Sequence, residues 1–210
     1  MSKSVDGSSP VVVVLAAGRG SRFGGPGHKL GQRLGEATVL EATLSAVVAS
    51  HLPLVVVTTA ALVPTVQQVV AARDIVLLPS VGSSSREPLG MGYSISAGVS
   101  ARAQAGGWLV LPGDMPLIQP ATLLAVAHAL SQHAVAYAQY QGRRGHPVGF
   151  AAELYSELVR LNGDEGARRL VARYPAHPVE VADAGVLVDV DTPDDLAAAR
   201  ALHLAARTSA

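Results

Sequence analysis

A glycine-rich, basic loop follows the first apolar run of the chain. Its sequence, LAAGRGSRFGGPGHKL over residues 15–30, contains five glycines, three Lys or Arg side chains and no acidic residue. Backbone N–H groups at glycine positions can approach phosphate oxygens closely, because no Cβ atom intervenes. Ligands of α/β proteins bind at the carboxyl ends of strands, which is where this loop is expected. The loop therefore predicts a phosphate site, with a mobile surface loop as the alternative.

Two common phosphate-binding motifs do not fit this loop. A dinucleotide fingerprint requires G-x-G-x-x-G and an acidic residue near the end of the second strand. The glycines here are Gly18, Gly20 and Gly24, and the second predicted strand ends at Thr59 without a carboxylate. A P-loop requires Gly-Lys-Ser/Thr, whereas Lys29 stands between a histidine and a leucine. Both motifs are therefore excluded.

A single carboxylate, Asp114, follows an apolar run in the segment LPGDMP, residues 111–116. Two prolines and a glycine surround this residue, which makes its position unusually stiff. A hard divalent cation such as Mg²⁺ prefers carboxylate oxygens and could use such a ligand. The alternative is a turn residue that caps the next helix.

A second acidic segment, DVDTPDD, occupies residues 189–195. Asp189 and Asp191 are two residues apart at the end of a predicted strand, so we expect both side chains to point to the same side. Two carboxylates on one face favour a cation site. Thr192 is a suitable N-cap for a helix that begins with proline, and Asp194 and Asp195 would then stabilise the helix dipole.

Three further polar segments each have two interpretations. Residues 142–145 are predicted to form a hairpin turn. The segment at residues 143–147 combines two arginines with a histidine at this turn, which suits a phosphate clamp or an ordinary hairpin with solvated arginines. Residues 162–168, which include Asp164, form a similarly ambiguous entry to a helix. Residues 82–92, which include Ser85 and Gly90, are Ser-rich and closed by glycines. That segment is suited to wrap a base or ribose, or it is a mobile loop.

The elements that must position these residues alternate along the chain. Thr38 and Glu41 have the spacing of a capping box and open an Ala-rich helix. Apolar runs and alternation predict strands at residues 11–16, 54–59, 75–78, 108–111, 134–140, 147–150, 179–181 and 186–190. Helices are expected at residues 38–50, 63–72, within 90–105, at 120–132, 151–160 and 164–173, and from 193 onward. This order indicates an α/β fold with a doubly wound, mostly parallel sheet.

Length and composition bound the class of protein. The chain has 210 residues, of which 49% are hydrophobic and 15% charged, and its formal net charge is zero. These values suit one compact domain over residues 11–206, with a flexible tail at residues 1–10 and another at 207–210. The zero net charge argues against nucleic acid or a membrane as partner. The chain contains no cysteine, which excludes disulfides and thiolate sites. We expect a cytoplasmic protein.

Taken in order, six of these segments resemble the MobA-like nucleotidyltransferase family, and especially its molybdenum cofactor cytidylyltransferase branch. The matching stretches, which span residues 11 to about 200, are LAAGRGSRFGG with Lys29, GMGYSISAG, LPGDMPLI, RRGHPVGF, GDEGARRL and DVDTPDDL. The resemblance implies a Rossmann-like nucleotidyltransferase fold. It also implies transfer of CMP from CTP to the phosphate of a molybdopterin-type cofactor, with release of pyrophosphate.

The resemblance also assigns roles to individual residues. Nucleotide-binding positions would be Leu15, Ala16, Ala17, Gly18, Arg19, Gly20, Arg22, Lys29, Ser85 and Gly90. Lys29, Arg19 and Asp114 would be catalytic, with Asp114 and Asp191 as ligands of Mg²⁺. The acceptor side, which faces the pterin in the cytidylyl branch, would comprise Arg143, Arg144, His146 and Asp164. A molybdoenzyme or its chaperone would be a protein partner.

Two alternatives remain beside this interpretation. Ala17 stands where the guanylyl branch usually has glycine, which favours CTP over GTP, but a guanylyl- or cytidylyltransferase that uses another phosphate acceptor fits the same segments. A non-catalytic nucleotide-binding module in molybdoenzyme maturation is the second alternative. The chain departs from the family at Phe23, where methionine is usual, and in the slightly long segment that precedes Lys29.

Overall fold

The central sheet has seven strands, in the order β5-β4-β1-β6-β8-β7-β9. The computed structural model describes residues 9–18, 20, 23–24, 27–79 and 90–208. The strands are β1 (Val11–Ala16), β2 (Arg33–Leu34), β3 (Ala37–Thr38), β4 (Leu54–Thr59), β5 (Ile75–Leu78), β6 (Gly107–Pro112), β7 (Val135–Tyr140), β8 (Arg143–Ala151) and β9 (Ala176–Glu180). Strands β2 and β3 form a separate antiparallel pair.

Most neighbouring strands of this sheet are parallel. The exception is β8, which runs antiparallel to both β6 and β7. The helices are α1 (Val39–Ala49), α2 (Val63–Val66), α3 (Gly90–Ser100), α4 (Pro120–Ala129), α5 (Tyr155–Leu158), α6 (Arg168–Arg173) and α7 (Pro193–Thr208). The predicted doubly wound, mostly parallel α/β sheet is confirmed. Within the described ranges, no helix is long and apolar enough to cross a membrane.

Strand β1 is apolar throughout because both of its faces are covered. Val12 and Val14 pack in the core beneath α1 and α4, while Val11 and Val13 pack in a second core with residues of α3. All four valines are at most 4% exposed. A parallel strand that is covered on both sides reads as a continuous hydrophobic run, not as an alternating one. The predicted capping box of α1 is also present, with Thr38 and Glu41 bonded reciprocally.

The prediction of a strand at residues 186–190 is wrong. The chain there forms a 3-10 turn over Ala184–Leu187 and then continues without strand pairing. Val186 and Val190 are fully buried in the core, so the apolar pattern reported burial and not sheet formation. The strand at the edge of the sheet next to β7 is β9, which pairs in parallel with β7.

Other elements differ from the prediction in extent. The predicted helix at 63–72 is helical only over Val63–Val66, and the next residues form turns although Val66 and Val70 are buried at helical spacing. The helices expected at 151–160 and 164–173 shorten to α5 and α6. Helix α7 runs to Thr208, so it includes two residues of the segment assigned to a tail. Residues 1–8 of the other predicted tail lie outside the described residues.

The predicted hairpin turn at residues 142–145 is also displaced. The two-residue turn consists of Gln141 and Gly142, both with positive φ, as in type I′ turns that join antiparallel strands. Strand β8 therefore begins at Arg143, and Tyr140 pairs with Arg143 across the turn. The arginine-rich segment is part of the sheet.

Helix α3 approaches the sheet closely through Gly98. A Cβ atom at this position would lie 2.4 Å from Val13 Cγ1 and 2.9 Å from Val57 Cγ2. We expect Gly98→Ala to lower the free energy of unfolding, because overpacking costs about 1–3 kcal/mol and exceeds the gain of about 1 kcal/mol in helix propensity. Urea unfolding measures the effect. Ser100→Ala, an exposed position of the same helix, should change stability by less than about 0.5 kcal/mol. Equal or higher stability of Gly98→Ala would contradict this packing.

Candidate active site

Three chain segments meet at the carboxyl ends of β1 and β6. The N–H of Gly113 donates to the carbonyl oxygen of Leu15 at 2.9 Å, so the chain after β6 stays beside the end of β1. The N–H of Val190 donates to the carbonyl oxygen of Asp114 at 3.0 Å. This second bond fixes the segment before α7 against the turn after β6, and it places Asp191 next to Asp114.

A buried hydroxyl of α1 holds the turn that carries Asp114. Thr43 of α1 is fully buried, and its hydroxyl lies 3.0 Å from the carbonyl oxygen of Gly113 and 3.0 Å from that of Val39. The prolines on either side of Gly113 and Asp114 restrict the backbone further. Asp114 therefore projects from a fixed position.

Lys29 lies between the two carboxylates. Its ammonium donates to Asp114 Oδ2 at 2.5 Å and to Asp191 Oδ1 at 2.6 Å. All three side chains are mostly buried, with exposures of 12% for Lys29, 13% for Asp114 and 21% for Asp191. Burial by itself lowers the pKa of Lys29, but the adjacent carboxylates of Asp114 and Asp191 outweigh it, so the pKa is raised. The ammonium is therefore charged at neutral pH.

The second oxygen of Asp114 has no such partner within the described ranges. Asp114 Oδ1 is buried and makes no hydrogen bond with any residue that the structure describes. A buried carboxylate oxygen without a donor is costly, and such atoms mark a place for a cation or water. Two carboxylates and an unpartnered oxygen are a suitable donor set for Mg²⁺ or Mn²⁺, which take oxygen ligands.

The donor set is small. Among the described ranges, no three His, Asp or Glu side chains are grouped to hold a metal ion, and the chain has no cysteine. Mg²⁺ is typically bound by one or two carboxylates, with substrate phosphates and water completing its octahedron. The arrangement therefore suits a metal that is held jointly by protein and substrate.

Asp195 fixes the backbone of Asp191. Its carboxylate accepts hydrogen bonds from the N–H groups of Asp191 at 3.1 Å and Thr192 at 2.8 Å, and from the Thr192 hydroxyl at 2.8 Å. These bonds, chiefly those from Thr192, lower the pKa of Asp195. The Thr192 hydroxyl also accepts from the N–H of Asp195, as expected of the predicted N-cap. Asp195 thus positions a site residue, which adds to its predicted role at the helix dipole.

The strand that was expected to align Asp189 and Asp191 on one face does not form. Asp191 contacts Lys29, whereas Asp189 is exposed and lies on the side of His146. Burial lowers the pKa of His146, and the charges of Asp114 and Asp189 oppose this effect. His146 is therefore neutral at pH 7 and close to the carboxylates of the site.

The antiparallel direction of β8 explains why His146 reaches this edge of the sheet. Val148 pairs with Val110 of β6, so the beginning of β8 lies at the carboxyl end of β6. Arg144 precedes His146 on the same strand, and its guanidinium stacks 4.5 Å from the ring centroid of Tyr137. Arg143 is exposed. The structure thus brings His146 near Asp114, while Arg144 is held by an aromatic ring.

Asp164 belongs to a loop that packs on the start of α3. The N–H of Gly92 donates to the carbonyl oxygen of Gly163 at 2.8 Å. Gly90 has a φ of +73°, and a Cβ atom there would lie 2.2 Å from that same oxygen, so only glycine fits. A cavity of about 350 Å³ opens beside this contact and is lined by residues 160–166 and Arg169. The structure therefore brings Gly90 together with the Asp164 segment.

The remaining predicted residues divide into two groups. Leu15 and Ala16 are the last residues of β1, and Ala16 is fully buried in the core. Ala17, Gly18 and Gly20 follow the strand and belong to the loop. Arg19, Arg22 and Ser85 lie outside the described residues.

His28 is a site residue that the sequence analysis missed. Its Nδ1 accepts the N–H of Leu30 at 3.2 Å, and its Nε2 lies 2.8 Å from the carbonyl oxygen of Gly18. Because Nδ1 is an acceptor, Nε2 carries the proton and donates to Gly18. His28 thereby joins the glycine-rich loop to the turn that carries Lys29. Its only sequence signal was its place beside Lys29.

Asp183 is the second missed residue. It is 3% exposed and accepts hydrogen bonds from Gln119 N at 2.9 Å, Thr122 Oγ1 at 2.7 Å and Gly185 N at 2.9 Å. These bonds tie the 3-10 turn before Asp191 to the beginning of α4. No local pattern signals this role, because two of the three donors lie more than 60 residues away.

Residues 12–181 match the family model described as the MobA-like NTP transferase domain. The chain belongs to this family. The glycine-rich loop, the Asp114 turn and β8 lie within the matched residues, whereas Asp183, Asp191 and α7 follow them. The predicted resemblance to the MobA-like family is therefore confirmed at the level of the family.

Known proteins similar to this chain include a curated protein and solved structures. Purine catabolism protein PucB of Bacillus subtilis is 34% identical over 111 residues, which are 50% of this chain and 54% of PucB, so the match spans about half of that relative. A nucleotidyl transferase from Methanothermobacter thermautotrophicus, Mth528, has a TM-score of 0.77 at 26% identity, over 95% of this chain and all of that one. Rv0371c of Mycobacterium tuberculosis, in complex with manganese, has a TM-score of 0.74 at 29% identity, over 93% and 99%.

The contacts of His28 predict its effect on binding. His28→Ala removes two hydrogen bonds that fix the glycine-rich loop, each worth about 1 kcal/mol. We expect nucleoside triphosphate affinity, measured by calorimetry, to fall by about 5- to 30-fold. His28→Gln, whose amide both donates and accepts, should recover part of the loss. His128→Ala removes an exposed histidine of α4 and should leave affinity unchanged. Equal affinities of His28→Ala and the unmodified protein would show that these bonds do not position the loop.

Proposed function

We propose that this protein is a Mg²⁺-dependent cytidylyltransferase of the cytoplasm. It transfers CMP from CTP to the phosphate of a molybdopterin-type cofactor and releases pyrophosphate. The observation that carries the proposal is the meeting of Lys29, Asp114 and Asp191 beside the glycine-rich loop, with Asp114 Oδ1 buried and unpartnered among the described residues. Membership of the MobA-like NTP transferase family supports a nucleoside triphosphate as the substrate.

The proposed reaction is an in-line exchange at phosphorus. An oxygen of the acceptor phosphate forms a bond to the α-phosphorus of CTP. The bond from that phosphorus to the α,β-bridging oxygen breaks, and pyrophosphate leaves with the bonding electron pair. Little covalent chemistry is required of side chains, so positioning and charge stabilisation dominate catalysis.

Each residue has a defined task in this scheme. Asp114 and Asp191 would hold Mg²⁺, which neutralises charge on the phosphate oxygens. Lys29 and the first part of the glycine-rich loop, from Leu15 to Gly20, bind the triphosphate, and Arg19 and Arg22 add positive charge to the loop. Ser85 and Gly90 contact the base or ribose. Because the loop precedes Lys29 directly and His28 joins the two, the triphosphate is held by one connected unit.

The acceptor is proposed to lie toward β8 and the Asp164 loop. His146 is neutral and close to the carboxylates, so it can donate to or accept from the acceptor phosphate without adding charge. Arg143 and Arg144 supply positive charge for that phosphate, and Asp164 contacts the pterin. A molybdoenzyme or its chaperone would receive the product. An acceptor of another class, with CTP or GTP as donor, is the second candidate.

A nucleotide panel tests the proposed donor. We expect CTP with Mg²⁺ to raise the melting temperature more than GTP, ATP or UTP, since a ligand at 100 times its Kd stabilises the fold by about 2.7 kcal/mol. Pyrophosphate release that requires both CTP and a phosphorylated pterin then separates an enzyme from a binding module. Equal or greater stabilisation by GTP would overturn the cytidylyl assignment. Binding without pyrophosphate release on any acceptor would favour the module.

Asp114→Asn tests the metal site, because it keeps the shape of the side chain and removes its charge. Turnover with Mg²⁺ should fall by at least about 100-fold. Asp191→Asn should act in the same direction, and the double variant should be far from additive if both residues hold one ion.

Asp194→Asn is the matched control for this prediction. It makes the same charge change three residues from Asp191, at an exposed position in the first turn of α7. It should leave turnover unchanged and lower stability by about 0.3–1 kcal/mol through the helix dipole. Near-normal turnover of Asp114→Asn at low Mg²⁺ would make Asp114 a turn residue only.

A further inference from the structure

We propose that Lys29 is the counter-cation of the metal site in the free protein and competes with the metal for Asp114 and Asp191. Metal binding displaces the ammonium from these carboxylates, and the displaced ammonium becomes available to the triphosphate. The inference rests on the proposed function, because it concerns the order in which the same site takes up metal and nucleotide.

The Lys29 ammonium occupies the space that a shared metal ion would need. The Lys29 ammonium bridges Asp114 Oδ2 and Asp191 Oδ1 at 2.5 and 2.6 Å, which are contact distances. A divalent ion that bound both oxygens would need the space between them, where the ammonium now lies. Two cations cannot both occupy that position, so the metal and Lys29 exclude each other from at least one carboxylate.

The net charge of the site also favours a divalent ion over the ammonium. Two carboxylates and one ammonium leave a net charge of minus one in a mostly buried site. Asp114 Oδ1 is left buried without a partner among the described residues, so the ammonium satisfies the site only in part. A divalent ion in place of the ammonium would neutralise both carboxylates. Repulsion between the two cations then favours departure of the ammonium.

The Lys29 side chain lies beside the first part of the glycine-rich loop. Lys29 begins the 3-10 turn at the end of the glycine-rich loop. Its Cγ atom lies 3.3 Å from the position that a Cβ atom of Gly20 would occupy, so the side chain passes directly beside the loop. A rotation about the side-chain torsions therefore moves the ammonium from the carboxylates toward a phosphate held by the loop, without movement of the turn.

This competition predicts the sign of a coupling. In the free protein Lys29 weakens metal binding, and a bound triphosphate removes that penalty because it engages the ammonium. Metal and nucleotide must then strengthen each other's binding by the same factor. Removal of the ammonium should therefore raise the affinity of the nucleotide-free protein for the metal.

A Mn²⁺ titration without nucleotide, followed by the paramagnetic resonance signal of the free ion, tests this prediction. We expect Lys29→Met to bind Mn²⁺ at least about tenfold more tightly than the unmodified protein. Lys29→Arg keeps the cation and should stay near the unmodified value. Arg33→Met removes an exposed cation four residues away and should have no effect. Adding Asp114→Asn to Lys29→Met should abolish the gain.

A second measurement does not depend on a variant at Lys29. The chain has only two lysines, Lys3 and Lys29, so the acetylation rate of Lys29 can be followed by mass spectrometry. Mn²⁺ alone should raise that rate, because it releases the ammonium from its two carboxylates. Lys3 serves as the internal control.

The outcomes separate this inference from the proposed function. Unchanged or weaker Mn²⁺ binding by Lys29→Met, or an acetylation rate that Mn²⁺ leaves unchanged or lowers, overturns the competition while the metal site stands. Absence of Mn²⁺ binding to the unmodified protein, with or without CTP, overturns both. Tighter binding by Lys29→Met in a protein that never releases pyrophosphate supports the competition and overturns the enzymatic proposal.

Discussion

The contact of one ammonium with two carboxylates joins the parts of this protein that matter for chemistry. Lys29 comes from the loop after the first strand, while Asp114 and Asp191 lie 85 and 162 residues further along the chain. Two negative charges in a mostly buried place repel each other, and the desolvation of each costs free energy. A cation between them therefore stabilises the folded site. In the free protein that cation is Lys29. Asp114 Oδ1 is buried without a hydrogen-bond partner in the part of the chain that the structure describes, so Lys29 satisfies the two carboxylates only in part.

The scaffold holds these charges at fixed positions. The parallel strands β1 and β6 lie side by side with both faces covered, and this pairing aligns their carboxyl ends. Backbone bonds extend the alignment past the strands, from Gly113 to Leu15 and from Val190 to Asp114. Two further carboxylates act on the backbone, since Asp183 holds the turn that leads to Asp191 and Asp195 holds Asp191 itself.

The antiparallel strand β8 gives the site a second wall. In a purely parallel sheet the beginning of a strand lies at the opposite edge from the site. Because β8 runs the other way, its first residues lie at the carboxyl end of β6, and His146 comes near Asp114 and Asp189. The same reversal exposes Arg143 and stacks Arg144 on Tyr137. Two arginines and a histidine are thereby placed at the end of the sheet that carries Asp114.

The sequence by itself determined the elements whose signals are local. The continuous apolar runs of β1, β4 and β6, the capping box of α1 and the proline at the start of α7 depend on burial and on caps within a few residues, and the structure has them where they were predicted. The glycine-rich loop and the stiff turn at Asp114 were also visible, because composition alone marks them. The order of these segments was enough to indicate the family.

Only the tertiary structure decided how those pieces combine. The run at 186–190 is buried in the core as a turn, since apolar side chains report burial whichever backbone carries them. Gln141 and Gly142 form the turn that puts the two arginines into a strand, because the pairing of β7 with β8 fixes where the chain reverses. The partners of Lys29, and two of the three donors to Asp183, are set by packing of segments that are distant along the chain. Such contacts leave no periodicity in the sequence, because they depend on distances in space and not on spacing between residues.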